Sequence, residues 1–219
     1  MSKIRLVIFD LDGTLLDTLS DLAHCANFAL KQNGFTAHPI EAYKYFVGNG
    51  VLKLFERALP ENEKTPENIE RLRAVFFPYY ELHNADYTTP YPGIPELLET
   101  LREKGVQLAV ASNKYHKATE ELILKYFPEI AFAAVFGQRE GLPVKPHPAV
   151  VFEILDKVGV SAEETLYVGD SGVDMETAAN SGVASVGVTW GFRPRSELEA
   201  AGACYIAETS LGVLELVDS

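Results

Sequence analysis

The alternation of apolar and polar positions opens on an almost unbroken apolar run, residues 4–9, rich in β-branched side chains and ending at Asp10. A run of that length and composition predicts a strand buried on both faces, as at the centre of a parallel sheet. The pattern then changes. Leu15, Leu16, Leu19, Leu22, Ala23, Ala26, Ala29 and Leu30 recur at helical spacing up to Asn33-Gly34, a helix stop. Two more helices are predicted over about 40–59 and 66–82, so that residues 16–85 read as all-helical. From Tyr91-Pro92-Gly93 onward, strands alternate with helices. Strands are predicted at 106–111, 132–136, 165–168, 184–188 and, more weakly, 204–207. Helices are predicted at 94–104, 117–127, 148–158, 173–181 and 211–216.

Strands separated by helices imply an α/β fold, a Rossmann-like doubly wound parallel sheet covered on both faces. The helical block interrupts that pattern directly after the first strand. The simplest account is an all-helical cap domain, residues 16–85, inserted into a core formed by 1–15 and 86–219, with junctions near Leu16 and near residues 87–90.

Bulk properties narrow the class. A length of 219 residues suits one large domain with a smaller insert, and 47% hydrophobic residues suffice for a real core. No apolar run approaches the ~20 residues that cross a bilayer, and the apolar stretch after Lys3 and Arg5 runs straight into Asp10 and Asp12 rather than into a cleavage site. A cytoplasmic protein is expected, without a membrane partner. A net charge of −12 argues against nucleic-acid binding, and it disfavours an anionic substrate unless a cation reverses the field locally. Cys25 and Cys204 lie far apart, match no metal spacing, and are expected to be buried, reduced thiols. The histidines at 24, 38, 83 and 116 show no ligand spacing either, and His147 is expected only to start a helix.

Candidate chemistry lies where the strands stop. Asp10 and Asp12 follow the first strand, Ser112 and Asn113 the second, Lys145 lies in the loop beyond the third, and Asp170 follows 165–168. In a parallel sheet these ends share one edge, where ligands bind. Asp174, four residues beyond Asp170, falls in the first turn of the next helix on the same face. Asp10 and Asp12 alone also suit a turn, and Asp170 and Asp174 alone also suit a helix start. Four carboxylates at one edge repel one another, which a hard divalent cation with oxygen ligands relieves. Pro146 holds Lys145 extended, where its ammonium can face a phosphate. Ser112-Asn113 supplies a hydroxyl and backbone N–H groups ahead of a helix, either as a phosphate site or as ordinary capping.

Together these residues resemble the haloacid dehalogenase-like hydrolase superfamily, specifically its phosphatases. Asp10-Leu-Asp-Gly-Thr14 is similar to the family's first motif, Ser112 to its second, Lys145 to its third, and Gly169-Asp-Ser-Gly-Val-Asp174 to its fourth, in family order across nearly the whole chain. The resemblance implies phosphoryl transfer with Asp10 as nucleophile and Asp12 as general acid and base. Ser112 and Lys145 would hold the phosphoryl group, assisted by Thr14 and Asn113. Mg²⁺ would be held by Asp10, the backbone carbonyl of Asp12 and Asp170, with Asp174 ligating directly or through water.

Residues 45–59, especially Gly48-Asn49-Gly50, resemble the corresponding segment of bacterial phosphoglycolate phosphatases, as do Tyr91-Pro92-Gly93 and Val188-Thr-Trp-Gly191. That points to a small phosphorylated metabolite, 2-phosphoglycolate first. Backbone N–H groups at 48–50, with Lys53 or Arg57 in the next two turns, would suit a second small anion, or simply form a helix–helix turn. Arg193 and Arg195 are further candidates to reach the crevice. The aromatic cluster at 76–80, Trp190 and Phe192 are expected to pack, and Met175 to lie in the core. The chain is expected to be a monomer or homodimer. An inorganic pyrophosphatase, a broad sugar-phosphate phosphatase or a mutase shares the same core motifs. A phospho-acceptor switch gathers similar aspartates, but Asp12 supplies a base for rapid dephosphorylation that a switch lacks.

Overall fold

The computed structural model describes residues 3–218. In chain order the elements are β1 Leu6–Phe9, β2 Leu16–Asp17, α1 Leu19–Gln32, α2 Tyr43–Phe46, α3 Val51–Ala58, α4 Pro66–His83, β3 Thr89–Pro90, α5 Ile94–Glu103, β4 Gln107–Tyr115, α6 His116–Tyr126, β5 Ala134–Gln138, α7 Ala149–Val158, β6 Thr165–Gly169, α8 Gly172–Ser181, β7 Ala184–Val188, α9 Arg195–Ala200, β8 Tyr205–Ala207 and α10 Ser210–Asp218.

Six strands form one parallel sheet in the order β5-β4-β1-β6-β7-β8. Central β1 shows why its sequence reads as a continuous apolar run. Val7 and Phe9 pack into a cluster with Ile94, Leu97 and Val213 on one face, whereas Leu6 and Ile8 pack with Val151, Ile154 and Ala178 on the other. Burying each such side chain contributes about 1.5–3 kcal/mol. The connection leaving β1 leads to β4 on one side, and that leaving β6 leads to β7 on the other. The crevice at this topological switch point therefore opens between the ends of β1 and β6.

Helices α1 to α4 build a separate apolar cluster from Leu22, Ala26, Leu30, Tyr43, Leu54, Phe55, Leu72, Phe76 and Tyr80, which Phe192 joins from the sheet side. Asn27 on α1 fastens the start of this block. Its amide donates to the His38 carbonyl at 2.8 Å, and its oxygen accepts from His38 N–H and the Tyr43 hydroxyl, each at 2.8 Å.

Several expectations need correction. The helix predicted over 40–59 is broken, because Val47 is extended and Gly48 and Gly50 sit at φ +116° and +84°, which a helix does not permit. Leu16 and Asp17 are not helical; they pair antiparallel with Pro90 and Thr89, a two-stranded ribbon at both junctions of the helical block. Strand β4 runs past residue 111 to Tyr115, with a register shift between Ala111 and Tyr115 that leaves residues 112–114 without a ladder partner on β5. Strand β5 lies two residues later than predicted, and α9 was not foreseen. Met175 is buried as expected, whereas Cys204 is exposed because it precedes edge strand β8; Cys25 alone is buried.

Candidate active site

Asp10 leaves the sheet on a fixed anchor. Its N–H still donates to the Val168 carbonyl at 2.9 Å, and its Oδ1 accepts from Leu11 N–H at 2.7 Å. Gly13, at φ +89°, then turns the chain against β6's loop so closely that any Cβ would collide with the Asp170 carboxylate. Asp170 Oδ1 accepts from the Thr14 hydroxyl at 3.2 Å and Oδ2 from Phe192 N–H at 2.7 Å. Trp190 Nε1 donates to the Thr14 carbonyl at 3.0 Å, which closes the loops after β1, β6 and β7 on one another.

Lys145 reaches the same place from the loop after β5. Its buried ammonium lies 3.0 Å from Asp10 Oδ1, 2.7 Å from Asp174 Oδ1 and 3.1 Å from the Tyr167 hydroxyl. Asp174 Oδ2 accepts from Ser171 Oγ at 2.6 Å and from Ser171 N–H at 3.1 Å, a capping box at the start of α8. Asn113 fixes the lysine's backbone. Its amide oxygen accepts from Lys145 N–H at 2.8 Å, and its nitrogen donates to the carbonyls of Lys145 and Gly48, each at 3.0 Å.

Asp12 points elsewhere. Its Oδ1 accepts from the Thr18 hydroxyl at 2.7 Å and from the ammonium of Lys114 at 2.8 Å. Lys114 is itself buried and lies 5.0 Å over the Tyr80 ring. Sequence reasoning missed Lys114, which sits next to Asn113 but reads as an ordinary polar residue before a helix. The unpaired register of β4 turns it inward.

The electrostatics are those of carboxylates short of positive charge. Burial pushes the Asp10 carboxyl up to about 7; Lys145 pulls against this, and Asp174 and Asp12 add to it. Burial likewise holds Asp170 well above the usual range, reinforced by Asp174 and Asp10. Desolvation works against the Lys145 ammonium, but Asp10 and Asp174 outweigh it and keep the group firmly protonated. One oxygen from each of Asp10, Asp170 and Asp174 lies within 4.8 Å of the others, all three residues buried. This donor set, hard and anionic, fits a divalent cation with oxygen ligands.

A cavity of about 60 Å³ opens beside these groups. Asp10, Asp12, Ser112, Asn113 and Lys114 line it from the sheet edge, and Val47, Gly48, Gly50, Leu54 and Tyr80 from the helical block. Of the residues expected to meet substrate, Ser112, Asn113, Gly48 and Gly50 are on its wall. Thr14 and Lys145 are not: Thr14 is buried against Asp170, and the Lys145 ammonium reaches the site only through Asp10, with Asp174 and Tyr167 as its other partners. Asn49 turns its side chain to Arg57, accepting from Nη2 at 2.6 Å. Lys53 pairs with Glu56 at 2.5 Å in solvent, and Arg57 braces the loop through the carbonyls of Tyr45 and Phe46. Arg193 reaches the helical block, donating to the Val47 carbonyl at 3.0 Å, while Arg195 stays outside with Glu199 and Glu208. Among the described residues no histidine joins a metal-type cluster.

Known proteins resemble this arrangement along its length. A family model described as haloacid dehalogenase-like hydrolase matches residues 7–188. The phosphoglycolate phosphatase of Vibrio parahaemolyticus is 34% identical over 98% of this chain and 96% of its own length. That of Mannheimia succiniciproducens is 32% identical over 99% of both. A crystal structure of a predicted phosphoglycolate phosphatase from Haemophilus somnus superposes with a TM-score of 0.90 at 30% identity, over 99% of both chains.

Proposed function

The chain belongs to the haloacid dehalogenase-like hydrolases and is a phosphatase, and from that premise we propose that it hydrolyses 2-phosphoglycolate to glycolate and phosphate through an aspartyl-phosphate, with Mg²⁺ as cofactor. Residues 16–85 act as the cap that closes over the substrate, and the ribbon of β2 and β3 is its hinge. The relatives' names support the substrate, and the cavity supports the chemistry.

The observation that carries this reading is the pair Asp10 and Asp12 on the wall of one cavity, held by different partners. Asp10 Oδ1 is engaged by Lys145 and Leu11 N–H, whereas Oδ2 has no hydrogen-bond partner among the described residues. Oδ2 is therefore the oxygen that attacks phosphorus, and the ester oxygen departs with a proton from Asp12. Asp12 then takes a proton from the water that hydrolyses the aspartyl-phosphate. Lys145 and Ser112 hold the transferring phosphoryl group, the charge stabilisation on which such reactions depend. Asp10, the backbone carbonyl of Asp12 and Asp170 would hold Mg²⁺. Both oxygens of Asp174 are already engaged by Lys145 and Ser171, which favours its acting through water. When bound, the ion supplies positive charge against the phosphoryl oxygens.

The test is steady-state phosphate release with Mg²⁺ from 2-phosphoglycolate, pyrophosphate and hexose phosphates. A kcat/KM for 2-phosphoglycolate at least about 100-fold above the others, about 2.7 kcal/mol of discrimination, is expected. Comparable slow rates on every ester would overturn the substrate, and a single phosphate retained without turnover would overturn the enzyme mechanism.

A further inference from the structure

The cavity beside Asp12 holds more positive and donor character than a phosphoryl site alone needs. Lys114 has its side chain only 4% exposed, yet its ammonium, with three donors, makes one ion pair, to Asp12. The Tyr80 hydroxyl lines the same cavity, is buried beside the Lys114 ammonium, and donates its own O–H to no group among the described residues. A buried O–H left without an acceptor is unfavourable, which a ligand with acceptor oxygens offsets. Gly50 and Val51 also line the cavity at the start of α3, where the first intrahelical bond is Leu54 N–H to the Gly50 carbonyl. The N–H groups of residues 51–53 precede that bond, at the positive end of the helix. Ammonium, hydroxyl and helix end come from three separate elements and meet in one place.

We infer that Lys114, with the Tyr80 hydroxyl and the first turn of α3, receives a carboxylate carried on the carbon next to the leaving oxygen, so that the site selects phosphate esters of 2-hydroxy acids. The inference rests on the reading of Asp12 as the acid that protonates the leaving oxygen. That oxygen must then lie within about 3 Å of Asp12, and the Lys114 ammonium is 2.8 Å from the same carboxylate. A carboxylate one carbon away therefore falls within reach of Lys114. Leu54, Phe76 and Phe77, which also line the cavity, offer the carboxylate of a longer ester no polar partner. Among the described residues lining the cavity, Lys114 is the one cation; Lys53 and Arg57 are committed to Glu56 and to loop carbonyls.

The decisive quantity is the ratio of kcat/KM for 2-phosphoglycolate to that for 2-hydroxyethyl phosphate, which replaces the carboxylate with an uncharged group of similar size. Lys114→Met removes one partner of a buried charge pair and is expected to lower the ratio about 100-fold, chiefly through KM. Tyr80→Phe keeps the ring and is expected to lower it about 5-fold. A Lys114→Met protein with native circular dichroism and an unchanged ratio overturns the inference, because the lysine then serves Asp12 alone. If that variant does not fold, Tyr80→Phe decides: a lowered ratio supports the receptor and an unchanged one overturns it. A wild-type ratio near one overturns the phosphoglycolate reading together with this inference, whereas a high wild-type ratio kept by both variants overturns only the inference.

Discussion

The carboxyl edge of the sheet and the helical block that faces it contribute to the same cavity but are built on opposite terms. At the sheet edge, charged side chains are buried and paired: Lys145 with Asp10 and Asp174, and Lys114 with Asp12. Their positions follow from strand ends whose register is fixed by the ladder on both sides of β1. In the helical block the cavity wall is apolar, with Leu54 and Phe76 beside the lone Tyr80 hydroxyl, and its position depends on two glycines and a short ribbon. The edge is suited to chemistry common to every phosphate ester, and the block to distinguishing one ester from another. Lys114 lies on the edge but is inferred to receive the substrate carboxylate, and it is the exception; changes elsewhere at the edge should reduce turnover of all substrates alike, and changes in the block should alter their ranking.

The largest effect tests the first half of that statement. Asp10→Asn removes the proposed nucleophile while keeping its shape, and loss of such a group costs about 10⁴-fold or more in kcat. Phosphate release should vanish on every ester, with an unchanged circular dichroism spectrum. Residual activity on one substrate alone would mean that the edge is not generic after all.

Next in size is the response of the edge to metal and pH. A carboxyl whose folded-state pKa lies above its unfolded value makes the native state bind more protons. For Asp10, raised from 3.8 to about 7, stability is therefore highest at low pH and falls as pH climbs through that window. The ion-free protein should lose on the order of 4 kcal/mol from this group between about pH 4 and 7, with Asp170 shifting the same way. Acid unfolding elsewhere opposes this at the low end, so the comparison to make is with and without Mg²⁺. The metal should raise Tm more at pH 7.5 than at pH 5.5. A rise independent of pH would separate the ion from these carboxylates.

How far this contrast could be seen without coordinates depends on the region. Asp10, Asp12, Lys145, Asp170 and Asp174 are legible because a parallel sheet brings its strand ends, and the loops and helix starts that follow them, to one edge. Thr14 was legible as part of the site but not in its task, since only the approach of Gly13 to Asp170 turns its hydroxyl towards that carboxylate. Lys114 and Tyr80 were not legible. A lysine before a helix and a tyrosine in an aromatic run look like solvated and packing residues until the interrupted register of β4 and the seating of α4 bring them together. The single helix predicted over 40–59 failed because apolar periodicity continues through Gly48-Asn49-Gly50 although the backbone does not.

Asn113 joins the two regions and gives the third prediction. It spans Lys145 and the Gly48 carbonyl, so Asn113→Ala frees both the loop and Lys145, the lysine proposed to hold the phosphoryl group. Misplacement of a catalytic group by about 1 Å costs on the order of 100-fold. We expect kcat to fall by that factor on all esters, with an added rise in KM for the acidic ester alone, measured in the same substrate panel. A fall in kcat without any change in ranking would show that the loop does not depend on this tether.

The smallest effect is the most specific to the block. Gly50 sits at φ +84° directly before α3, and a Cβ there would come within 3.1 Å of Gln138 Oε1. Gly50→Ala therefore adds about 1–2 kcal/mol of backbone strain and pushes on a flexible side chain that can give way. The strain is relieved by moving the N-terminal turn of α3, not by moving β1, whose ladder lies elsewhere. Preference for 2-phosphoglycolate over 2-hydroxyethyl phosphate should fall by about 5-fold, of the order expected for loss of a favourable helix-end charge interaction. Tm should drop by only a few degrees. If preference holds while both rates fall together, the helix end contributes position to the edge rather than selection, and the division of labour between the two regions would have to be redrawn with α3 on the side of the chemistry.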